Sequence, residues 1–241
     1  MTYFDDPRSR GYARIAGLFY LTIAFAGGYA ILYVPGSLQV PGDPAQTFAN
    51  IAAERGFYLS GLLGDVVMML SELIVTAMLF FLFRIVNPTL SLIAALARFA
   101  MVAVMAAMLF FHAAALQLVD PAAPLTSFTE AQRVELAGMF LHVHAAGVWI
   151  WQIFFAAHLV TLGMLVLKSN AFPRLLGLGL MLGSVGYVLD TLSAFAFPES
   201  ALLPTLTVGF LMIVTLAEIG FALWLVFVGP RSADTRWQQT A

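Results

Sequence analysis

Phe57–Arg84 reads FYLSGLLGDVVMMLSELIVTAMLFFLFR, an apolar run in which Asp65 and Glu72 are the only charges before the terminal arginine. A membrane-spanning helix needs about 20 predominantly apolar residues, and this run exceeds that length without a proline. Lipid cannot satisfy backbone N–H and C=O groups, and the run lacks the strict alternation of a barrel strand, so it reads as a helix. Similar runs on either side of it place spans near 12–34, 57–84, 90–118, 133–167, 173–197 and 203–228. The expected fold is all-α, a polytopic membrane protein built as a six-transmembrane-helix bundle, with 1–241 forming a single membrane domain.

Composition agrees. The 241 residues are 61% apolar and 10% charged, against roughly 45–50% and about 25% in a soluble domain. Six spans use ~120–160 positions, which leaves no room for a soluble catalytic domain. Any chemistry or recognition therefore lies inside the bundle or on short loops. A net charge of −2 without a basic tract points away from nucleic acid. The absence of cysteine excludes disulfides, thiolate metal sites and cysteine nucleophiles.

The fourth run is too long for a perpendicular crossing: at 1.5 Å per residue it extends ~50 Å, so it tilts or projects from the hydrocarbon. Ser127-Phe128-Thr129-Glu130 reads as the capping box that starts it. Pro88 and Pro173 sit in short turns and help set helix starts. Pro41-Gly42-Asp43-Pro44 is turn chemistry opening a short surface helix over Ala45–Glu54, read as a structured connector. Ala24-Phe25-Ala26 fits a signal-cleavage pattern, but the apolar run continues to Val34, so the first span is expected to be retained. Arg8, Arg10, Arg14, Arg84, Lys168, Arg174, Arg231 and Arg236 fall on one side if the spans alternate, leaving Arg55 and Arg133 opposite. The positive-inside rule then puts both termini in the cytoplasm. No residue repeat supports a 3+3 inverted arrangement.

Charges inside spans are expensive and mark functional positions. Asp65, Glu72, Arg98, Asp190 and Glu218 lie within the spans, as do all four histidines, His112, His142, His144 and His158. By the 3.6-residue period, Gly61, Gly64, Asp65, Glu72 and Thr76 share a face of the second helix, and Arg98 and His112 share one with Met101 and Met105. Gly179, Gly183, Gly186 and Asp190 form a glycine groove, and Glu218 lies with Thr207 and Thr215. On the fourth helix, His142 falls on one face while His144, Gly147, Trp151 and His158 fall on the nearly opposite one, so this helix is expected to be central.

Depth sorts these residues into two groups. Asp65, Glu72, His112, His142, His144 and Asp190 are the candidates for a ligand or ion site toward the outer side, with Glu72 nearest the middle. Imidazoles plus a carboxylate there have the donor chemistry for zinc, iron or manganese. Arg98, His158 and Glu218 form an inner polar cluster, in which Arg98 pairs with Glu72 or Glu218 and His158 carries protons. Neutral, hydrogen-bonded packing roles stand beside these readings, as does Arg98 snorkelling to the headgroups. No HExxH, GxSxG or phosphate-loop pattern occurs, so no catalytic residue and no cofactor is assigned.

Ala13-Arg14-Ile15-Ala16-Gly17-Leu18-Phe19-Tyr20-Leu21, Pro41-Gly42-Asp43 and Asp65 open a pattern. It continues through His158-Leu159, Leu162-Gly163, Lys168-Ser169, Pro173-Arg174-Leu175-Leu176-Gly177, Gly186-Tyr187-Val188-Leu189-Asp190 and Glu218. In these residues the chain resembles a bacterial six-helix integral membrane family known as a domain of unknown function. The resemblance runs from about Ala13 to Leu225, with His158–Asp190 as its most specific block. Ala156-Ala157 departs from the Phe-Gly pair that usually precedes the histidine. The resemblance implies the fold and a location in a bacterial inner membrane, and it carries over no activity. Three functions follow from the residues: a small-molecule or ion binder or transporter with a polar interior, a structural or regulatory subunit docking a partner helix or a second copy through its glycine faces, and a metal- or haem-containing membrane enzyme.

Overall fold

The computed structural model describes residues 6–231; Arg236, counted above for orientation, lies outside them. The described residues are helical without strands, and six helices are long and apolar enough to cross a membrane. In chain order they are α1 (Arg10–Leu38), α3 (Arg55–Phe83), α4 (Pro88–Leu118), α5 (Glu130–Ser169), α6 (Arg174–Phe195) and α7 (Leu202–Phe227). A shorter α2 (Pro44–Ala53) lies between α1 and α3. The six expected spans are therefore present, with ends shifted by a few residues.

Local chemistry explains the boundaries. Asp43 caps α2 by accepting from the Gln46 N–H at 2.9 Å, with Pro44 at the first helical position. Asn87 does the same for α4, accepting from the Leu90 N–H at 2.9 Å ahead of Pro88. The start of α5 corrects the expected box by two residues. Gln132 N–H donates to Thr129 Oγ1 at 3.3 Å and Thr129 N–H donates to Gln132 Oε1 at 2.9 Å. Thr129…Gln132 is therefore the reciprocal pair, not Ser127…Glu130. Two interruptions escape the apolar pattern: α1 widens into a π-helix over Gly28–Tyr33, and α6 breaks at Ser184, between Arg174–Gly183 and Val185–Phe195.

Within the described range the chain divides into two compact units: 6–22, Ser71–Val102 and 149–231 form the first, and Ile23–Leu70 and Ala103–Val148 the second. α1, α3, α4 and α5 each contribute residues to both. In the first unit the α6 groove is filled by α7. A Cβ on Gly183 would lie 2.5 Å from the Val214 backbone nitrogen, one on Gly186 2.9 Å from that of Leu211, and one on Gly179 2.8 Å from Ala217 Cβ. Phe83, Phe172 and Phe221 pack together beside them, ring centroids 5.4–6.5 Å apart. In the second unit Val34, Leu38, Ile51, Tyr58, Leu116 and Val119 form a core.

Burial is inverted relative to a soluble protein. Phe110 and Phe227 are each 75% exposed, while the Arg98 side chain is wholly buried. Exposed apolar side chains in such number are matched by lipid, not water. Arg98 does not snorkel.

Candidate functional site

The α3–α4 connection is a tight antiparallel hairpin, and its register builds the first site. Ser91 Oγ donates to the Phe80 carbonyl at 2.8 Å. Eight residues back along α3 is Glu72 and seven forward along α4 is Arg98, so antiparallel helices bring them to the same level. They form an ion pair through Arg98 Nε and Glu72 Oε2, between side chains 0% and 5% exposed. α5 completes the group. Arg98 Nη1 lies 3.0 Å from His158 Nε2, and His158 Nδ1 lies 2.9 Å from the Ala94 carbonyl. Because a guanidinium only donates and a carbonyl only accepts, His158 must carry its hydrogen on Nδ1 and accept on Nε2. His158 is thus neutral in this arrangement, and it can take a proton only after its bond to Arg98 opens.

Glu218, on α7, does not reach Arg98 directly. Its Oε1 accepts from the Tyr20 hydroxyl at 2.7 Å, and the Tyr20 ring centroid lies 4.8 Å from the Arg98 guanidinium carbon. Phe155 stacks on His158 with centroids 6.0 Å apart and lies 5.9 Å from the same guanidinium. Arg98 Nη2 is buried with no hydrogen-bond partner among the described residues. A cavity of about 10 Å³ reaches His158 past Thr76, Ser91, Ala94 and Phe83, room for about one water. Anything larger would require helix movement.

The other candidates are placed differently. In the second unit, the His112 and His144 rings stack with centroids 3.5 Å apart and planes 22° from parallel. His144 Nδ1 lies 3.0 Å from the Met108 carbonyl, and Tyr58 donates to the His112 carbonyl at 3.2 Å. Ring nitrogen lone pairs lie in the ring plane, so near-parallel stacked rings direct them side by side rather than onto one ion. Among the described residues, no group of three or more His, Cys, Asp or Glu side chains is placed to hold a metal. His142, expected to face the interior, is exposed, as is Thr215, whose hydroxyl donates to its own helix at Leu211. Asp65 is buried in the second unit, while Asp190 is half-buried in the first. Glu72, grouped by depth with the outer candidates, is Arg98's partner.

Tyr20 and Phe155 were not among the sequence candidates. Tyr20 had two signals, its place in the Ala13–Leu21 block of the family pattern and a hydroxyl within an apolar stretch; Phe155 had none, since aromatic residues recur throughout the spans.

Residues 15–229 match the family Domain of unknown function (DUF4386). The chain belongs to the DUF4386 family. The DUF4386 match takes in Tyr20, Glu72, Arg98, His158 and Glu218 as well as Asp65. Over 82 residues the chain is 35% identical to an uncharacterized protein of Archaeoglobus fulgidus, covering 34% of this chain and 46% of that protein. The chain thus spans about half the length of this curated relative, which belongs to an archaeon and does not tie the chain to a bacterial membrane. No solved structure matches it.

Proposed function

We propose that this DUF4386 protein is a multi-pass protein of a bacterial cytoplasmic membrane that forms a single membrane domain and binds a small molecule or ion in its polar interior, at Arg98. Both termini are assigned to the cytoplasm, because Arg10, Arg14, Arg84, Lys168, Arg174 and Arg231 flank one set of helix ends and Arg55 and Arg133 the other.

One observation carries the binding reading. Arg98 is fully buried, matched in charge by Glu72 and bonded to His158, yet among the described residues no acceptor receives the donors of Nη2. A buried donor without an acceptor costs about 1–3 kcal/mol or more, and more for a charged group. A bound solute that supplies an acceptor removes that cost. Two further observations favour this reading over the other two. The α6 glycines proposed to dock a partner helix pack against α7, and two of the three histidines proposed to hold a metal, His112 and His144, stack on each other.

Native mass spectrometry on protein extracted without delipidation tests this. The expected result is a non-covalent adduct on the wild-type protein that survives His142→Ala and disappears in Arg98→Lys, which keeps a cation beside Glu72 but lacks the guanidinium fork. A wild-type protein with no adduct overturns the reading.

A further inference from the structure

One set of helix ends in the first unit carries charge that the protein itself does not balance. The ends at 6–14, 83–88, 168–174 and 227–231 bear Arg8, Arg10, Arg14, Arg84, Lys168, Arg174 and Arg231. Among the described residues they hold one carboxylate, Asp6, which pairs with Arg8 at 3.7 Å.

Three of these cations are drawn together where α1 begins and α7 ends. Gly17 lets the two helices approach: a Cβ there would lie 2.8 Å from the Ala222 carbonyl oxygen and 2.7 Å from Val226 Cγ2. The Val226 carbonyl has no ordinary helical donor, because the residue four on is Pro230. Arg14 reaches across and supplies one, donating from Nε at 3.1 Å. Gly229 then ends α7 in the left-handed conformation, φ 72°, with its N–H on the Trp224 carbonyl at 2.8 Å. This turn sets Gly229 against Arg10, whose Cγ lies 3.5 Å from where a Cβ would stand. Beyond it, the Arg231 N–H donates to the Ala171 carbonyl at 3.0 Å. The Arg231 guanidinium carbon lies 4.8 Å from the centroid of the Trp224 ring, whose indole N–H donates to the Gly229 carbonyl at 2.9 Å. Arg10, Arg14 and Arg231 thus gather around Gly229. All three are exposed, and none has a carboxylate partner among the described residues. The surface beside them is apolar: Leu18, one turn along α1 from Arg14 on the same face, and Phe227, next to Val226, are each more than half exposed.

We propose that Arg10, Arg14 and Arg231 bind the headgroup of an anionic phospholipid whose acyl chains lie along Leu18 and Phe227. Charge and position together select this partner. Guanidinium groups match phosphate oxygens in charge and geometry, and Arg14 spends only its Nε on the protein. A free anion would use the cations and leave the apolar flank uncovered, whereas a lipid uses both. Basic residues beside spans attract anionic lipid in general; here three of them converge on one turn, which makes a site rather than a diffuse charge. The site is separate from Arg98, which is wholly buried.

The test is thermal unfolding of the purified full chain in detergent micelles titrated with dioleoylphosphatidylglycerol, against dioleoylphosphatidylcholine at the same mole fraction. The expected result is a saturable rise in Tm with the glycerol lipid that the choline lipid does not give. Arg10→Gln, Arg14→Gln and Arg231→Gln together should raise the half-effective lipid fraction about a hundredfold, and Arg231→Gln alone about fivefold. The single variant leaves the Arg14 bond to α7 in place, so it reports even if the triple variant fails to fold. Arg84→Gln, Lys168→Gln and Arg174→Gln together remove the same charge from the same ends. At about 0.15 M salt, where more distant charges are screened, they should change the half-effective fraction by less than about threefold. Three results overturn the proposal: a wild type that does not distinguish the two lipids, equal responses of the two triple variants, which would reduce the attraction to net charge, or the same rise in Tm with inorganic phosphate, which would make the occupant a free anion.

Discussion

Replacing Glu72 by leucine probes the network at its most heavily loaded point. Both side chains of the Glu72–Arg98 pair are out of solvent, at 5% and 0% exposure. Glu72→Leu removes the counter-charge and leaves a guanidinium held by one histidine nitrogen. Breaking a buried ion pair from one side costs about 3–5 kcal/mol. The double variant Glu72→Leu with Arg98→Met behaves differently. Two apolar side chains of similar length replace two charges, which is often neutral or stabilising by about 1–4 kcal/mol. What remains is His158, whose Nε2 loses its donor, at a cost of about 1–3 kcal/mol. The double variant should therefore lose no more than about 3 kcal/mol, against about 6–10 kcal/mol for the sum of the two singles, giving a coupling of ~3 kcal/mol or more between the positions. Reversible unfolding in mixed micelles with increasing denaturing detergent gives the three free energies. A Glu72→Leu loss below about 1 kcal/mol, the range of an exposed pair, would refute the argument. So would a double variant as unstable as the sum of the two singles.

Gly183 and Gly209 give opposite outcomes on substitution. Gly183→Leu places a side chain within 2.5 Å of the Val214 backbone and should disrupt α6–α7 packing, read as lost monodispersity on size exclusion, whereas Gly209→Ala meets nothing within 4 Å and should raise stability by ~0.4–1 kcal/mol. Retained monodispersity in Gly183→Leu would count against the packing. Asp120, between α4 and α5, has its carboxyl held below the ordinary range by the Ala122 N–H and then by Arg55. A depressed folded-state value adds stability that is complete above the usual aspartate range, about 3.9, and is lost as pH falls through the folded value. The Tm gap between wild type and Asp120→Asn should close as pH drops from 7 to below ~4, and a gap that does not change with pH would contradict the assignment. A C-terminal alkaline phosphatase fusion should be inactive and a green fluorescent fusion bright; the reverse pattern would overturn the cytoplasmic assignment of that terminus.

The helices were legible because lipid leaves the chain so few options: long apolar runs must close their own hydrogen bonds. Details that depend on one residue's geometry were not. Ser127-x-x-Glu130 and Thr129-x-x-Gln132 overlap, and both fit a capping box. Only the backbone decides that Thr129 is the cap. The pairing of Arg98 had two candidate carboxylates on sequence grounds. The choice of Glu72 follows from the register of the α3–α4 hairpin, set by Ser91 on Phe80, while Glu218 is intercepted by Tyr20. His142 and His144 sit on different faces of α5, and periodicity alone gave no means of knowing that one of those faces is exposed. The π-helix left one trace in the sequence, Pro35 inside an apolar run, which reads equally well as the end of a helix.

Arg98 offers five N–H donors, and Glu72 and His158 occupy only Nε and Nη1, so its surplus asks for an acceptor. A cation placed there would meet a like charge, so the solute that serves Arg98 must present an acceptor oxygen or nitrogen. Asp65 belongs to the other unit and is itself an acceptor when ionised, so it adds nothing to that demand. The adduct lost in Arg98→Lys should therefore persist in Asp65→Asn. Loss of the adduct in both variants would refute the assignment of the solute to Arg98 alone.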